Sequence, residues 1–219
     1  MTENTKQISE NDLLRADIYQ LLAALLRRTP SAELLQFLHG LEVDSNDDSS
    51  MTRAWLSMKL AAEQFSAEQL EDEYFNLFIG VGSGEILPYG SWFMTGSLMD
   101  KPLALLRQDL IQLGFERGDD VKEPEDHVAA LFEVMSALIL EAPSHQQLAF
   151  YRRHLGSWII RFWDSLSRCN SAAFYAVVAQ LGRAFFETEI VEFERLVLST
   201  PVVESSGVQI QPKANELAS

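Results

Sequence analysis

The amino-acid sequence predicts an all-α fold, and three observations lead to that prediction. Apolar residues recur at steps of three and four through most of the 219 residues, which is the spacing of one helical face. Val, Ile and Thr never alternate with polar residues over a useful strand length. Residue types that cap helices also precede two of the periodic segments. We therefore expect helices joined by loops, without a significant strand.

Each predicted helix rests on a local signal. Thr29 would be the N-cap of the second helix, with Pro30 at its first position, and Ser66 with Gln69 fits a capping box. The first helix is predicted from an apolar stripe formed by Leu14, Ile18, Leu21, Leu22 and Leu25. Further helices are predicted at residues 51–64, 98–113, 124–141, 144–168 and 171–199.

The polar, glycine-containing segment "ERGDDVKE" divides the chain into two unequal helical parts. We expect an N-terminal part at residues 1–115, a hinge at 116–123 and a C-terminal part at 124–199. Residues 200–219 follow without periodicity, so a disordered tail is predicted there. One role open to Arg107 is an ion pair with an acid of the hinge. Because such a hinge lets the same contacts form between two chains, we expect a monomer that can also form dimers by element exchange.

Charge and cysteine content exclude several classes of function. The 32 acidic residues outnumber the 17 lysines and arginines and give a net charge of −15, so nucleic acid is not an expected partner. A single cysteine, Cys169, excludes a disulfide framework and a thiolate metal cage. The chain starts without an export signal, and its longest apolar run, residues 21–26, is too short to span a membrane. We therefore expect a cytoplasmic protein without membrane insertion.

A glycine-rich segment, "GVGSGEILPYGSWFMTG" at residues 80–96, interrupts the helical pattern. It matches neither G-x-G-x-x-G nor G-x-x-x-x-G-K-[ST], and it contains no lysine, so a phosphate-binding role has little support. Two interpretations stay open. The segment is either a loop packed down by its own aromatic residues or an apolar docking surface whose glycines let the backbone lie close to a partner.

The stretch "VKEPEDHVAALFEVMSAL", residues 121–138, joins acids, a proline and a histidine to an apolar run. Pro124 suits the first helical position, which would place Glu125 and Asp126 in the first turn, outside the deep core. A hydrogen-bonded structural role and a binding role both stay open for His127, which would share a face with Leu131, Val134 and Leu138. Signals for catalysis or metal ligation are weak, because a nucleophile motif and H-E-x-x-H are both missing.

Four motifs occur together in a fixed order. They are "YFNLFIG" at 74–80, "PYGS" at 88–91, "EPEDH" followed by "EVM" at 123–135, and "HLGSW" at 154–158. As a set they resemble the TorD/DmsD family of cytoplasmic chaperones for molybdoenzyme maturation. The resemblance covers about residues 12–198. It implies an all-helical chaperone and not an enzyme.

The resemblance also implies a client and a site. Such proteins bind an exported molybdoenzyme in its apo form, including its twin-arginine leader, and keep it competent for molybdenum cofactor insertion before export. For the branch that matches most closely, the client is trimethylamine N-oxide reductase. The residues implied in client and leader binding are Asp126, His127, Glu123, Pro124, Leu77, Phe78, Pro88 and Tyr89. Weak GTP binding is implied by the resemblance alone, and no metal or other cofactor is expected.

The expected partner explains the composition of the motif in physical terms. A twin-arginine leader combines a basic segment with an apolar one, so its receptor needs acids beside an apolar floor. The segment "EPEDH" joined to "VAALFEVM" supplies both, and the acidic balance of the chain would attract the leader. Two alternatives stay open: a helical enzyme using Asp126 and His127 as an acid–base pair, and a plain helical scaffold.

Overall fold

A computed structural model describes residues 8–44, 47–118 and 122–199. Within these ranges the chain forms ten α-helices and a π-helical turn at Phe75–Ile79, without a strand, which confirms the all-α prediction. None of these helices is long and apolar enough to cross a membrane. The predicted tail at 200–219 lies outside the described residues. The helices are α1 Glu10–Arg27, α2 Ala32–His39, α3 Ser50–Gln64, α4 Ala67–Tyr74, α5 Gly90–Thr95, α6 Lys101–Gln112, α7 Val128–Glu141, α8 Ser144–His154, α9 Ile159–Leu166 and α10 Phe174–Ser199.

The core joins helices that are far apart in the sequence. Helix α1 packs along α7, and α3 packs along α10, which also contacts α8 and α9. Rings of Tyr19, Phe132, Trp163 and Phe186 meet at the centre, with centroids 5.3–6.2 Å apart in five contacting pairs. These contacts cross the predicted hinge at 116–123, so helices on both sides of it share apolar neighbours. The division into two parts itself stays a prediction.

Capping residues decide where the early helices begin. The Ser66–Gln69 capping box is confirmed, because the Gln69 N–H donates to Ser66 Oγ and the Ser66 N–H donates to Gln69 Oε1. The predicted start at Thr29 is wrong. Ser31 is the N-cap of α2, and its Oγ accepts the Leu34 N–H at 3.3 Å.

The single helix predicted at 144–168 is two helices. Helix α8 ends at His154 and α9 begins at Ile159. The N–H groups of Leu155 and Gly156 both donate to the Tyr151 carbonyl, which closes α8. Between the helices, the Trp158 indole turns inward and donates from Nε1 to the His154 carbonyl at 2.6 Å. Burial of this large ring therefore overrides a continuous helical pattern.

An acid from α4 caps the start of α10. Glu73 is buried, and its carboxylate accepts N–H groups from Ala173, Phe174 and Tyr175 at 2.7–3.1 Å. The first N–H groups of a helix lack partners within the helix, and they favour a nearby negative charge. Glu73 therefore ties the first half of the chain to its last helix.

Helix α10 also passes very close to the indole of Trp163. At Gly182 a Cβ atom would lie 2.4 Å from two carbons of that ring. Trp163 is fully buried, so it has little space to move. The close approach of α9 and α10 therefore depends on a glycine inside a helix, where glycine is otherwise unfavourable.

Candidate functional site at the start of helix α7

The P-Y-G-S and E-P-E-D-H motifs meet in space. The Gly90 N–H donates to the Asp126 carbonyl at 2.8 Å, and the Val128 N–H donates to the Pro88 carbonyl at 2.8 Å. These bonds form an isolated antiparallel bridge between Tyr89 and His127. Two short segments that lie more than thirty residues apart in the chain are thereby held together at the start of α7.

Asp126 is a buried link between these segments. Its side chain is only 3% exposed, and Oδ2 accepts the Ser91 N–H at 2.8 Å. The prediction that it lies in the first turn of α7, outside the deep core, is wrong. The His127 N–H donates to the Pro124 carbonyl at 3.0 Å, so residues 124–127 form a turn and the helix begins only at Val128.

His127 is the N-cap of α7 and is also buried, at 6% exposure. Its Nδ1 accepts the Ala129 N–H at 3.2 Å, and its ring lies edge-on to the Tyr89 ring with centroids 5.2 Å apart. Burial, together with the positive charge of Arg27, lowers the pKa of His127 to about 3. The imidazole is therefore neutral at pH 7. Nδ1 can accept the Ala129 N–H only when it carries no proton.

The burial of His127 predicts a dependence of stability on pH. Between pH 6.5 and 3 the unfolded chain binds a proton at this residue and the folded chain does not, so stability falls as pH falls through this range. From pH 7 to pH 5, His127 alone is expected to remove about 2 kcal/mol from the free energy of unfolding. Urea denaturation at both pH values measures this loss. His127→Asn retains a capping residue and should show a correspondingly smaller loss.

His145→Asn is the matched control, because His145 lies at the exposed start of α8. This variant should keep the wild-type pH dependence of stability, because His127 and its buried surroundings are unchanged in it. If the free energy of unfolding falls equally between pH 7 and pH 5 for the wild-type protein and His127→Asn, the assignment of a buried neutral imidazole is contradicted.

Glu123 lies at the exposed edge of the same junction. The Tyr89 hydroxyl donates to its carboxylate, and burial together with the Glu123 charge raises the pKa of Tyr89. Pro124 is half-buried beside it. The junction therefore has a buried side, formed by Asp126 and His127, and an open side that begins at Glu123.

The open side leads into a groove of about 690 Å³ between α6, α7 and the end of α1. Apolar side chains form the floor of the groove, and among them Ile111 is the most exposed, at 76%. Among the described residues, no group of three or more His, Cys, Asp or Glu side chains could hold a metal ion. The lining comprises apolar Leu110, Ile111, Phe115, Ala130 and Val134, acidic Glu116, Glu123, Glu125 and Glu133, basic Arg27, Arg107 and Arg117, and Gly118.

Ion pairs occupy two of the acids in this groove. Arg107 binds Glu125 through Nε at 3.0 Å and Nη2 at 2.9 Å, and Arg117 Nη1 lies 3.8 Å from the same carboxylate. Partial burial opposes ionisation of Glu125, yet the hydrogen bonds from Arg107 outweigh it and lower the pKa of the carboxyl. Arg27 pairs with Glu133 at 2.6 Å. The partner of Arg107 lies two residues beyond the predicted hinge.

The structure brings together most of the predicted site residues. Those at the junction are Pro88, Tyr89, Glu123, Pro124, Asp126 and His127. Leu77 is fully buried, and Phe78 packs its ring on Tyr74 and Tyr175, so neither of the two lines the groove. The ring of Phe78 faces Tyr175 of α10, and a role of Leu77 and Phe78 in client binding stays a prediction.

Sequence reasoning missed the part of the groove that α6 supplies and the ion pair between α7 and α1. Glu133, in the "EVM" part of the motif, pairs with Arg27 from α1. Arg107 and Ile111 lie four residues apart on α6 and therefore share a helical face. That spacing was the signal available in the sequence.

The glycine-rich loop packs against its own chain. Gly80 has a φ of 60°, and a Cβ there would lie 2.1 Å from the Ser83 carbonyl oxygen. A Cβ on Gly84 would lie 2.4 Å from the Leu77 carbonyl oxygen. Both glycines therefore let the loop fold back onto the turn at 75–79. This agrees with a self-packed loop, although the contacts involve backbone and not only aromatic rings.

Comparison with known families adds to this geometry. The sequence model of the nitrate reductase delta subunit family matches residues 44–164, which is more than half of the chain and includes every lining residue of the groove except Arg27. The chain belongs to this family. The family is that of the TorD chaperones, so the resemblance drawn from the four motifs is confirmed. The prediction of a chaperone for molybdoenzyme maturation, and not an enzyme, is confirmed by the same membership.

Individual relatives match most of the length of this chain. The chaperone protein TorD of Vibrio parahaemolyticus is 26% identical over 78% of this chain and 90% of the relative. That of Vibrio cholerae is 25% identical over 91% of this chain and its own full length. A solved structure, described as a redox enzyme maturation protein from Archaeoglobus fulgidus, has a TM-score of 0.56 at 21% identity. It covers 85% of this chain and 99% of its own. The likeness to that structure is one of fold.

Proposed function

We propose that this chaperone acts in the cytoplasm on apo trimethylamine N-oxide reductase and binds its twin-arginine leader in the groove between α6 and α7. It keeps this client competent for molybdenum cofactor insertion before export. The observation that carries the proposal is the groove itself, where an apolar floor lies beside four glutamates, two of which belong to the E-P-E-D-H motif. The TorD chaperones named among the relatives support the choice of client.

The groove has the chemistry that a leader with arginines and an apolar segment requires. Ile111 and Val134 offer apolar surface, while Glu125 and Glu133 can accept guanidinium groups through paired hydrogen bonds. The lining itself holds four acids and three arginines and is nearly balanced in charge. Attraction over longer distances therefore comes from the net charge of −15 on the whole chain, and it should weaken with salt.

Asp126 and His127 serve this proposal as positioning residues. Both are too buried to contact a peptide directly. Asp126 fixes the start of α5 through Ser91, and His127 fixes the start of α7. Glu123 and Glu125 lie between these anchors and the groove, so the direct contacts with the leader fall to them. Pro88 and Tyr89 support the junction through its backbone bridge, whereas Leu77 and Phe78 hold the turn at 75–79 in place.

Two further properties stay predictions by resemblance. Weak GTP binding has no nucleotide motif to support it, and a titration with GTP would test it. Dimerisation by element exchange would be tested by size-exclusion chromatography across a wide concentration range and after refolding.

Glu125→Gln is expected to weaken leader binding about tenfold, because a neutral amide loses the charge-assisted contact with a leader arginine. Fluorescence anisotropy with a labelled leader peptide of trimethylamine N-oxide reductase measures this. Glu141→Gln is the matched control, since it removes one charge from an exposed residue of α7 outside the groove. It should bind the leader like the wild-type protein.

A second control changes the peptide. A leader with lysine in place of both arginines should bind more weakly to the wild-type protein, because an ammonium group cannot form the two parallel bonds of a guanidinium. Equal affinities for Glu125→Gln and Glu141→Gln would place the leader elsewhere on the chaperone and overturn the assignment of the groove.

A further inference from the structure

The groove already contains guanidinium groups of its own. Arg107 of α6 holds Glu125 side-on, with Nε and Nη2 bound to the carboxylate at 3.0 and 2.9 Å. Arg27 of α1 holds Glu133 in the same groove at 2.6 Å. Each pair presents the contact that an arginine of a bound peptide would make with the same acid.

A peptide arginine cannot simply add to the first pair. Arg107 contacts both carboxylate oxygens, because its Nε lies 3.1 Å from Oε1 and 3.0 Å from Oε2, and its Nη2 donates to Oε2 at 2.9 Å. Arg117 lies 3.8 Å from the same acid, which further limits access to it. An arginine that binds Glu125 through two parallel hydrogen bonds therefore competes with Arg107 for the same oxygens.

Arg107 is the member of the pair that can leave. Its side chain is 50% exposed, whereas that of Glu125 is 16% exposed. An exposed arginine that loses its partner regains contact with water, so its release costs little. Glu125 stays fixed by the turn that leads into α7.

We propose that Arg107 is an internal occupant of a leader-arginine site, bound to Glu125 in the free chaperone and displaced when an arginine-bearing leader binds. The inference rests on the proposed function of the groove. It adds that the free site is not empty and that leader binding is an exchange of one guanidinium for another. The exchange lowers leader affinity, and rebinding of Arg107 to Glu125 favours release of the leader.

Arg107→Gln tests the exchange directly. Without the competing guanidinium, the labelled leader peptide is expected to bind about three- to fivefold more tightly than to the wild-type protein, with a slower dissociation rate. The affinity gain should disappear in the double variant Arg107→Gln, Glu125→Gln, because the acid that the competitor blocks is then absent.

Arg153→Gln is the matched control. Arg153 is an exposed arginine that binds Asp109 of α6 through Nη1 at 2.8 Å, and it lies outside the groove. Its loss changes the net charge of the chain by the same amount and breaks an ion pair to the same helix. Leader affinity in this variant should stay within twofold of the wild-type value.

The outcomes separate the inference from the function on which it rests. If the wild-type protein binds the leader and Arg107→Gln binds no more tightly than Arg153→Gln, the exchange is wrong while the groove assignment stands. If neither wild type nor any variant binds the leader, the proposed function is wrong and the exchange falls with it.

A second measurement does not depend on affinity or on the stability of the variant. In the wild-type protein the Arg107 Nε–H is bonded to Glu125, and its nitrogen NMR signal can be assigned by its loss in Arg107→Gln. Addition of the leader peptide should move this signal to the position of a solvent-exposed arginine and speed its exchange with water. An Arg107 signal that stays unchanged at saturating leader would overturn the exchange.

Discussion

Asp126→Ala is expected to lower the free energy of unfolding by about 2–4 kcal/mol, with weaker leader binding as a secondary result. The carboxylate is buried and accepts the Ser91 N–H, so its removal loses a charge-assisted hydrogen bond and leaves that N–H without this partner. The first turn of α5 would then detach from the junction. Urea denaturation at pH 7 measures the loss, and leader titrations of the same variant measure the second effect.

Two variants make this expectation specific. Asp126→Asn keeps an oxygen that can accept the Ser91 N–H. Its free energy of unfolding should therefore fall by about half as much as that of the alanine variant. Glu123→Ala removes an exposed acid of the same motif and should change stability by less than about 1 kcal/mol. If Asp126→Ala unfolds like the wild-type protein while leader affinity collapses, Asp126 contacts the leader directly, as the sequence alone indicated.

Gly182→Ala is expected to destabilise the protein by about 2–3 kcal/mol, although alanine normally stabilises the interior of a helix by about 1 kcal/mol relative to glycine. The added Cβ would lie 2.4 Å from the indole carbons of Trp163, which is fully buried between neighbouring helices. Either the ring or the axis of α10 must shift. Thermal and urea denaturation with the far-ultraviolet helical signal as the probe would measure the loss.

A compensating variant tests the cause. Trp163→Phe removes the outer part of the indole, including carbons that the new Cβ would meet. The double variant Gly182→Ala, Trp163→Phe should therefore be less destabilised than the sum of the two single variants. Strict additivity would show that the cost of Gly182→Ala comes from somewhere other than the contact with Trp163.

Helical periodicity located most of the helices because each buries a stripe of apolar residues. The positions Ile18, Leu22 and Leu25, for example, are buried along α1. Helix ends were predicted less well, because they depend on which of several neighbouring residues completes a cap. Ser31 does so and Thr29 does not. The break before α9 depends on burying Trp158, which is a tertiary contact that local spacing does not reveal.

The motifs indicated where the site lies but not which of its residues face outward. The burial of Asp126 follows from its bond to Ser91, thirty-five positions earlier in the chain, and no local pattern encodes that pairing. The same holds for Glu133, which enters the groove only because α1 brings Arg27 beside α7. The family motif therefore supplies the buried frame of the site and, through Glu123, Glu125 and Glu133, part of its lining, whereas the parts from α1 and α6 follow from helix packing.

The packing of α1 on α7 and of α3 on α10 also has a consequence for biosynthesis. In each pair the second helix follows the first by more than one hundred residues. The core therefore cannot close while the chain is only partly synthesised. At a synthesis rate of about 5–20 residues per second, α3 waits for about 6–25 s before α10 exists. During that interval Met58 and its apolar neighbours on α3 lack their final cover. A chaperone for molybdoenzyme maturation therefore passes through an incompletely folded stage of its own on the ribosome.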